Sequence, residues 1–282
     1  MMKRYFLYDT VIQSEKAPSF ALSVRALFDF LQLDVPCLKG AKADVGSEVM
    51  ALNRLKFVEH NAHTLALASK EGGSIVCAES SAFISLQLTR EALLNDASLR
   101  EQVVSKLSKS GLELNFETEV LSLESFLAQE VGLEKLASLV KHPFSAFYVA
   151  HFLGTSFCQA RKFTDMSMSE KLLDVVQAKK VSFASAYESD GFEVFDTSAL
   201  LAKQCAAKAL LDMFDNAADV ILVDDARSFI MFDFYQKECE KVAGREINVS
   251  VLTLSQILLL AFGVTDKAKL GLDKHKVPVT LI

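Results

Sequence analysis

The chain has 282 residues, 51% of them hydrophobic with only 11 Gly and 4 Pro, which excludes a disordered or fibrous protein and suits one large domain or two small ones. A formal net charge of -6 and a pI near 5.5 speak against a nucleic-acid partner or an anionic-membrane surface. The longest apolar run, Ile257–Phe262, is far short of the ~20 residues that cross a bilayer, so no direct membrane insertion is expected.

Short apolar runs alternate with amphipathic stretches. Arg4–Tyr8 reads as a strand, and Ser19–Leu33 as a helix with Phe20, Val24, Leu27, Phe28 and Leu31 on one stripe. Ser74–Cys77 reads as a buried strand followed by a helix through Phe83, Leu86 and Leu88; Leu121–Val140 carries helical periodicity. Phe147–Ala150 then starts the pattern again. Glu170–Ala178 and Ser198–Ala218 read as helices, Val220–Val223 as a strand, Phe229–Val242 as a helix and Val249–Leu254 as a strand. Ser255 is placed to cap the next helix and Gly263 to end it. Alternating βα units imply parallel sheets covered by helices.

Two anchors recur along the chain. Cys77-Ala-Glu-Ser80 resembles Asp225-Ala-Arg-Ser228 at an offset of 225 − 77 = 148, and Asp9-Thr10 resembles Gly154-Thr155 at 155 − 10 = 145. A duplicated α/β unit accounts for both, with one domain over residues 1–141 and a second over 142–282.

The layout resembles the twin cysteine-rich, CCG-domain proteins typified by the B-type subunit of heterodisulfide reductase, with similar subunits in certain succinate dehydrogenases, fumarate reductases, and glycolate and lactate oxidation complexes. That family reads roughly C-P-x-C-x-x-N-L-D-x-x-Q near its end, where this chain has Asp225-Ala-Arg-Ser-Phe-Ile-Met-Phe-Asp233-Phe-Tyr-Gln236. Val251–Gly263 matches the family's P-V-x-x-L-x-Q-L-x-x-x-A-x-G, with Gln256 in register, and Leu270–His275 matches its usual ending. The resemblance implies two homologous CCG-type domains, each a small parallel sheet with flanking helices. It also implies iron–sulfur clusters held by several thiolates.

Residue by residue, that ligand set is depleted. The first-strand cysteines of the family stand here as Thr10 and Thr155. The C-x-x-C pairs stand as Cys77 with Ser80, and Asp225 with Ser228. The adjacent pair of the second half falls near Asp196, and that of the first near Cys37. Cys158, Cys205 and Cys239 lie away from these positions. Hydroxyls are poor ligands for iron–sulfur chemistry. The expectation is a degenerate relative without clusters and without catalytic residues of its own, a structural or regulatory subunit that docks on an iron–sulfur or flavoprotein subunit of a redox complex. One alternative is an electron-transfer subunit of an oxidoreductase with a cluster kept through Cys37 and Cys77. A second is a small-molecule binding module that uses the emptied pockets. Five scattered cysteines and no basic, apolar leader point to a reducing cytoplasm.

Other features have a plain reading beside a functional one. Cys37 and Cys77 read as small buried hydrophobes or as a redox pair. Asp225 with Asp224 and Asp196 reads as a helix N-cap or as a carboxylate pocket for a hard cation such as Mg²⁺. Arg227 is expected to face solvent, with pairing to those acids or to a partner as the other readings. Ser80 and Ser228 open helices, but no G-x-S-x-G surrounds either. His60 and His63 share a helix face at i, i+3, which reads as packing or as a metal pair. Asp233, Gln236 and Gln256 read as structural helix residues. The aromatic run Phe229–Tyr235 reads as core or as a partner surface.

Overall fold

The computed structural model describes residues 3–155, 157–163, 165 and 167–280. β1 (Tyr5–Tyr8), β2 (Ser74–Cys77) and β3 (Val120–Ser122) form one parallel sheet in that order. β4 (Tyr148–Phe152), β5 (Lys179–Val181), β6 (Val220–Val223) and β7 (Ser250–Thr253) form a second parallel sheet in the order β5-β4-β6-β7. A parallel bridge between Leu7 and Cys37 extends the free edge of β1. Cys37 therefore stands beside β1 as β5 stands beside β4, and the two strand orders correspond position by position. The protein is α/β: two small parallel sheets flanked by helices.

Parallel strands covered on both faces need apolar side chains on both, which is why β1, β2, β6 and β7 are buried along their whole length. The side chains of Tyr5, Leu7 and Val76 from the first sheet and of Val149, Val220, Leu222 and Leu252 from the second enter one hydrophobic cluster. Phe28 and Phe126 join it from the first half, and Ile257, Leu258 and Phe262 from the second. The opposite faces have their own clusters: Phe6, Tyr8, Ile75 and Cys77 in the first half, and Ala150, Phe152, Ile221 and Val223 in the second.

The expected division at 141/142 separates the two sheets, while the core runs across it. The helix Pro18–Phe30 packs on the helix Leu254–Ala261. Phe20 meets Phe229 edge-on at 5.7 Å and Phe30 stacks on Phe262 at 5.4 Å between ring centroids. Ser23 and Thr253 share a buried hydroxyl hydrogen bond of 3.1 Å. The Phe229–Tyr235 aromatic run is largely core, with Phe229, Ile230, Met231 and Phe232 fully buried.

Several elements differ from the sequence reading. Leu121–Val140 opens with β3, because Val120-Leu121-Ser122 suits a strand buried on both faces as well as a helix turn. Ser122 then caps a short helix, a π-helical turn covers Leu127–Val131, and a second helix covers Leu133–Leu139. Thr253, not Ser255, caps the Leu254–Ala261 helix: its hydroxyl accepts from the Gln256 backbone N–H while the Gln256 side chain accepts from the Thr253 N–H. The stretch expected as one helix from Phe229 starts a turn earlier at Ala226, passes through a π-helical turn over Ile230–Phe234, and resumes at Gln236–Ala243.

Candidate functional site

The two junctions singled out by their shared pattern, β2 to its helix and β6 to its helix, face each other across the interface between the halves. The Ser80 N–H donates to the Asp224 carbonyl at 2.8 Å, and the Ala226 N–H donates to Glu79 Oε2 at 2.8 Å. The second junction lines a cavity of about 200 Å³. Thr155, Asp190, Asp225 and Ser228 line it from the second half, Ser47, Glu48 and Ser81 from the first, and Arg227 beside them.

The structure thus brings together Thr155, Asp225 and Ser228 of the sequence-derived set. Asp225 caps its helix, accepting from the Ser228 N–H at 2.8 Å. The Ser228 hydroxyl donates to Asp190 Oδ2 at 2.6 Å. Asp196, expected to share this carboxylate group, is exposed and lies outside the cavity lining; Asp190, six residues earlier, takes that place. A loop acid has no periodicity to mark it, and only the tertiary fold carries Asp190 to Ser228. Burial pushes its carboxyl up to about 7, with the Asp225 carboxylate adding to the effect.

Arg227, expected to face solvent, is mostly buried. Its Nη1 pairs with Glu48 at 2.7 Å and its Nη2 lies 3.9 Å from Asp44. Burial alone would lower its affinity for the proton, but Glu48 and Asp44 outweigh burial and raise it. Asp44 accepts from the Gly46 N–H and the Ser81 hydroxyl. Glu79 lies behind it, 4% exposed, with one oxygen on Ala226 and the other, Oε1, without a partner. Burial and then Asp44 push the Glu79 carboxyl up to about 8. Nearby, His151 Nε2 contacts Asp224 Oδ2. Burial would lower the imidazole's pKa; Asp224 overrides it and raises it. Burial and Asp224 push Glu124 up to about 7. Asp44, Glu79, Glu124, His151 and Asp190 escaped the sequence reading. Glu79 alone carried a signal, standing opposite Arg227 when the two junctions are aligned.

In the first half, Thr10 and Ser80 are each half-buried, and the two thiols are not brought together. Cys37 pairs in register with Leu7, and packs against the cluster shared by the two sheets. Its Sγ donates to Asp9 Oδ2 at 3.3 Å, and Asp9 is held by Arg25. Cys77 pairs with Tyr8 and enters the cluster on the other face of the sheet. β1 stands between them and their side chains point to opposite faces. Burial, with Asp9 for Cys37 and Glu79 for Cys77, raises both thiols above their ordinary value, which disfavours the thiolate that metal binding requires. A multi-iron cluster needs several thiolates converging on one point. The donors at these positions do not fit one.

Asp233, Gln236, Gln256 and His275 hold the second half together. Asp233 accepts from the Lys276 and Val277 N–H groups. Gln236 bridges Phe232 and both backbone groups of Val249. Gln256 donates to the Leu270 carbonyl at 3.0 Å and contacts His275 Nε2 at 2.9 Å. Buried polar groups tied to the backbone in this way are scaffold.

Residues 189–276 match the family model of the HdrB-like C-terminal domain. Along nearly its whole length the chain is similar to the 8-methylmenaquinol:fumarate reductase membrane anchor subunit of Wolinella succinogenes, 26% identical over 286 residues, covering 99% of each chain. It is similar to the B subunit of the ferredoxin/F(420)H(2)-dependent CoB-CoM heterodisulfide reductase of Methanosarcina acetivorans, 21% identical over 98% of this chain and 94% of that one. A protein of Archaeoglobus profundus that is itself named as like the heterodisulfide reductase B subunit is 22% identical over 96% and 94%. The fold matches a crystal structure of a hypothetical protein from Helicobacter pylori with a TM-score of 0.84 and 23% identity, over 100% of this chain and 53% of that one, so the chain spans about half of that solved protein. The match of residues 189–276 to this family model, together with the full-length similarity to heterodisulfide reductase B subunits, supports an HdrB-like family member. These relatives are named as subunits of redox enzymes. One is named a membrane anchor; among the described residues of this chain, no helix is long and apolar enough to cross a membrane.

Proposed function

We propose that this chain is a subunit of a redox complex that keeps the family's two-unit scaffold, over residues 1–141 and 142–282, without its clusters. Thr10, Cys37, Cys77, Ser80, Thr155, Asp196, Asp225 and Ser228 are the former ligand positions. One observation carries the reading: only two of these eight are thiols, and those two lie on opposite faces of the first sheet. The rest of the second-half junction is occupied by hydrogen bonds within the protein, Asp225 to its own helix and Ser228 to Asp190. The role is structural or regulatory, in the cytoplasm, docked on an iron–sulfur or flavoprotein subunit. The cavity of about 200 Å³ favours a second reading as a binding module for a small polar ligand, because hydroxyl and carboxylate groups converge there.

The test is iron and acid-labile sulfide in protein purified without oxygen, with the visible spectrum recorded alongside. The expected result is neither iron nor absorbance above the protein band, and co-purification of a flavin- or iron-containing subunit with the tagged chain. Several irons per chain, lost when Cys37 and Cys77 are both changed to Ser, would overturn it and restore an electron-transfer role. A reproducible thermal shift with one class of polar metabolite, abolished by Ser228→Val, would move the assignment to the binding module.

A further inference from the structure

A second cavity, of about 300 Å³, lies in the first half between the helices Arg54–Lys70 and Ala97–Lys109. Lys56, Glu59, His60 and His63 follow one another at i, i+3, i+4 and i+7 on the first helix, so all four share one face. Val103, Lys106 and Leu107 come from the second helix, and Lys42 comes from the loop before them. In a chain of net charge -6 this is a local reversal of sign: three lysines and two histidines surround one glutamate.

The charge balance is more one-sided than that count. Glu59 is already paired with Lys106, while Lys42 and Lys56 have no ion pair among the described residues. His60 Nε2 lies 2.8 Å from the Ala43 carbonyl, which only accepts, so that nitrogen carries the hydrogen and is not free for a metal. His63 Nδ1 is buried without a partner. Its pKa is lowered by burial, then by Lys42 and by His60, so the positive potential of the cavity acts on the ring itself. A metal cation would meet the same repulsion, which rules against the metal reading of His60 and His63. A group with two negative charges would neutralise Lys42 and Lys56 and offset the positive potential at the His63 ring.

We propose that this cavity binds a small phosphorylated molecule, with Lys42 and Lys56 on the phosphate, His63 donating to it, and Val103 and Leu107 covering the apolar remainder. A phosphate dianion concentrates two charges and several acceptor oxygens on one group, which suits two ammonium ions and an imidazole lining one cavity. A dicarboxylate spreads its charge over two ends, and a cavity near the small limit for ligand sites has room for one headgroup and a short body. Nucleic acid is disfavoured because the chain as a whole carries a net charge of -6.

The test uses glycerol 3-phosphate as the probe in low-salt buffer, with glycerol and succinate as controls, on the full chain. Calorimetry is expected to give one saturable site. The His63 ring resonances are expected to titrate at higher pH when the probe is bound. Lys42→Glu with Lys56→Glu is expected to weaken binding by at least about tenfold. Both lysines are exposed, so the fold is expected to persist, and the milder Lys56→Gln provides a second variant with a smaller loss in the same direction. Absence of saturation, unchanged affinity in the double variant, or succinate binding as tightly as glycerol 3-phosphate would each overturn the proposal. An unshifted His63 titration with the probe bound would do so as well.

Discussion

Glu79 offers the sharpest test of how the two halves are joined. Its carboxyl is 4% exposed, bonds to the Ala226 N–H across the interface, and lies beside the buried Asp44. Burial and Asp44 raise it from an ordinary 4.5 to about 8, so the folded protein holds this proton at neutral pH while the unfolded chain releases it near 4.5. The sign follows from linkage. The stability contributed by this group is complete below about pH 4.5 and is lost progressively as the pH rises through about 8. Over three and a half pH units at about 1.4 kcal/mol each, the full effect is about 5 kcal/mol, and relaxation around the ionised group brings the expectation to about 2–5 kcal/mol.

Glu79→Gln has the same shape, keeps a carbonyl oxygen for Ala226, and never ionises. Urea denaturation at pH 5 is expected to show the variant within about 1 kcal/mol of wild type. At pH 8.5 the variant is expected to be the more stable of the two by about 2–5 kcal/mol. Glu124 and Asp190 titrate in the same sense in both proteins, so the difference between the two pH profiles isolates Glu79. Parallel profiles from pH 5 to 8.5 would refute the assignment of a buried, protonated carboxyl at the interface.

His151 titrates in the opposite charge sense. Asp224 raises its imidazole above the ordinary 6.5 against the pull of burial, so its contribution is complete below 6.5 and fades as the pH rises through the folded value. His151→Gln is therefore expected to cost more stability at pH 6 than at pH 8.5, measured by the same denaturation; an equal cost at both would contradict the ion pair with Asp224. Gln256→Leu keeps the bulk but leaves the Thr253 N–H and the Leu270 carbonyl without partners at a fully buried site. The expected loss is about 2–5 kcal/mol, and a loss below about 1 kcal/mol would show that water replaces both bonds.

Much of the scaffold was legible in the sequence because parallel strands covered on both faces are continuous apolar runs. That is why Tyr5–Tyr8, Ser74–Cys77, Val220–Val223 and Ser250–Thr253 stand close to where composition puts them. β5 was not legible: Lys179-Lys180-Val181 pairs with β4 but buries almost nothing, and an edge strand leaves no apolar trace. The Arg54–Lys70 helix escaped for a related reason. Its inward face includes Asn61 and Thr64 beside Phe57, Val58 and Leu65, which blurs the stripe.

The site divides along the same line between local and tertiary information. The repeated junction is a local pattern, and it led to Asp225 and Ser228. What each residue does there depends on the other half of the chain. Arg227 turns inward because Asp44 and Glu48, nearly two hundred residues earlier, offer it carboxylates. Glu79 holds its proton because burial at the interface and the neighbouring Asp44 outweigh the Ala226 N–H, which favours the carboxylate. Isolated halves would present Glu79 to water and ionise it, so its protonated carboxyl exists only once the two sheets have met. The Asp225 and Ser228 side chains are held in place by the helix cap and by the bond to Asp190, while the backbone of Asp224 and Ala226 meets the opposing junction. Placing Cys at Asp225 and Ser228 would therefore remove two buried hydrogen bonds. The junction functions here as part of the interface between the halves, and the groups that hold it together are the acids and the arginine that sequence pattern does not mark.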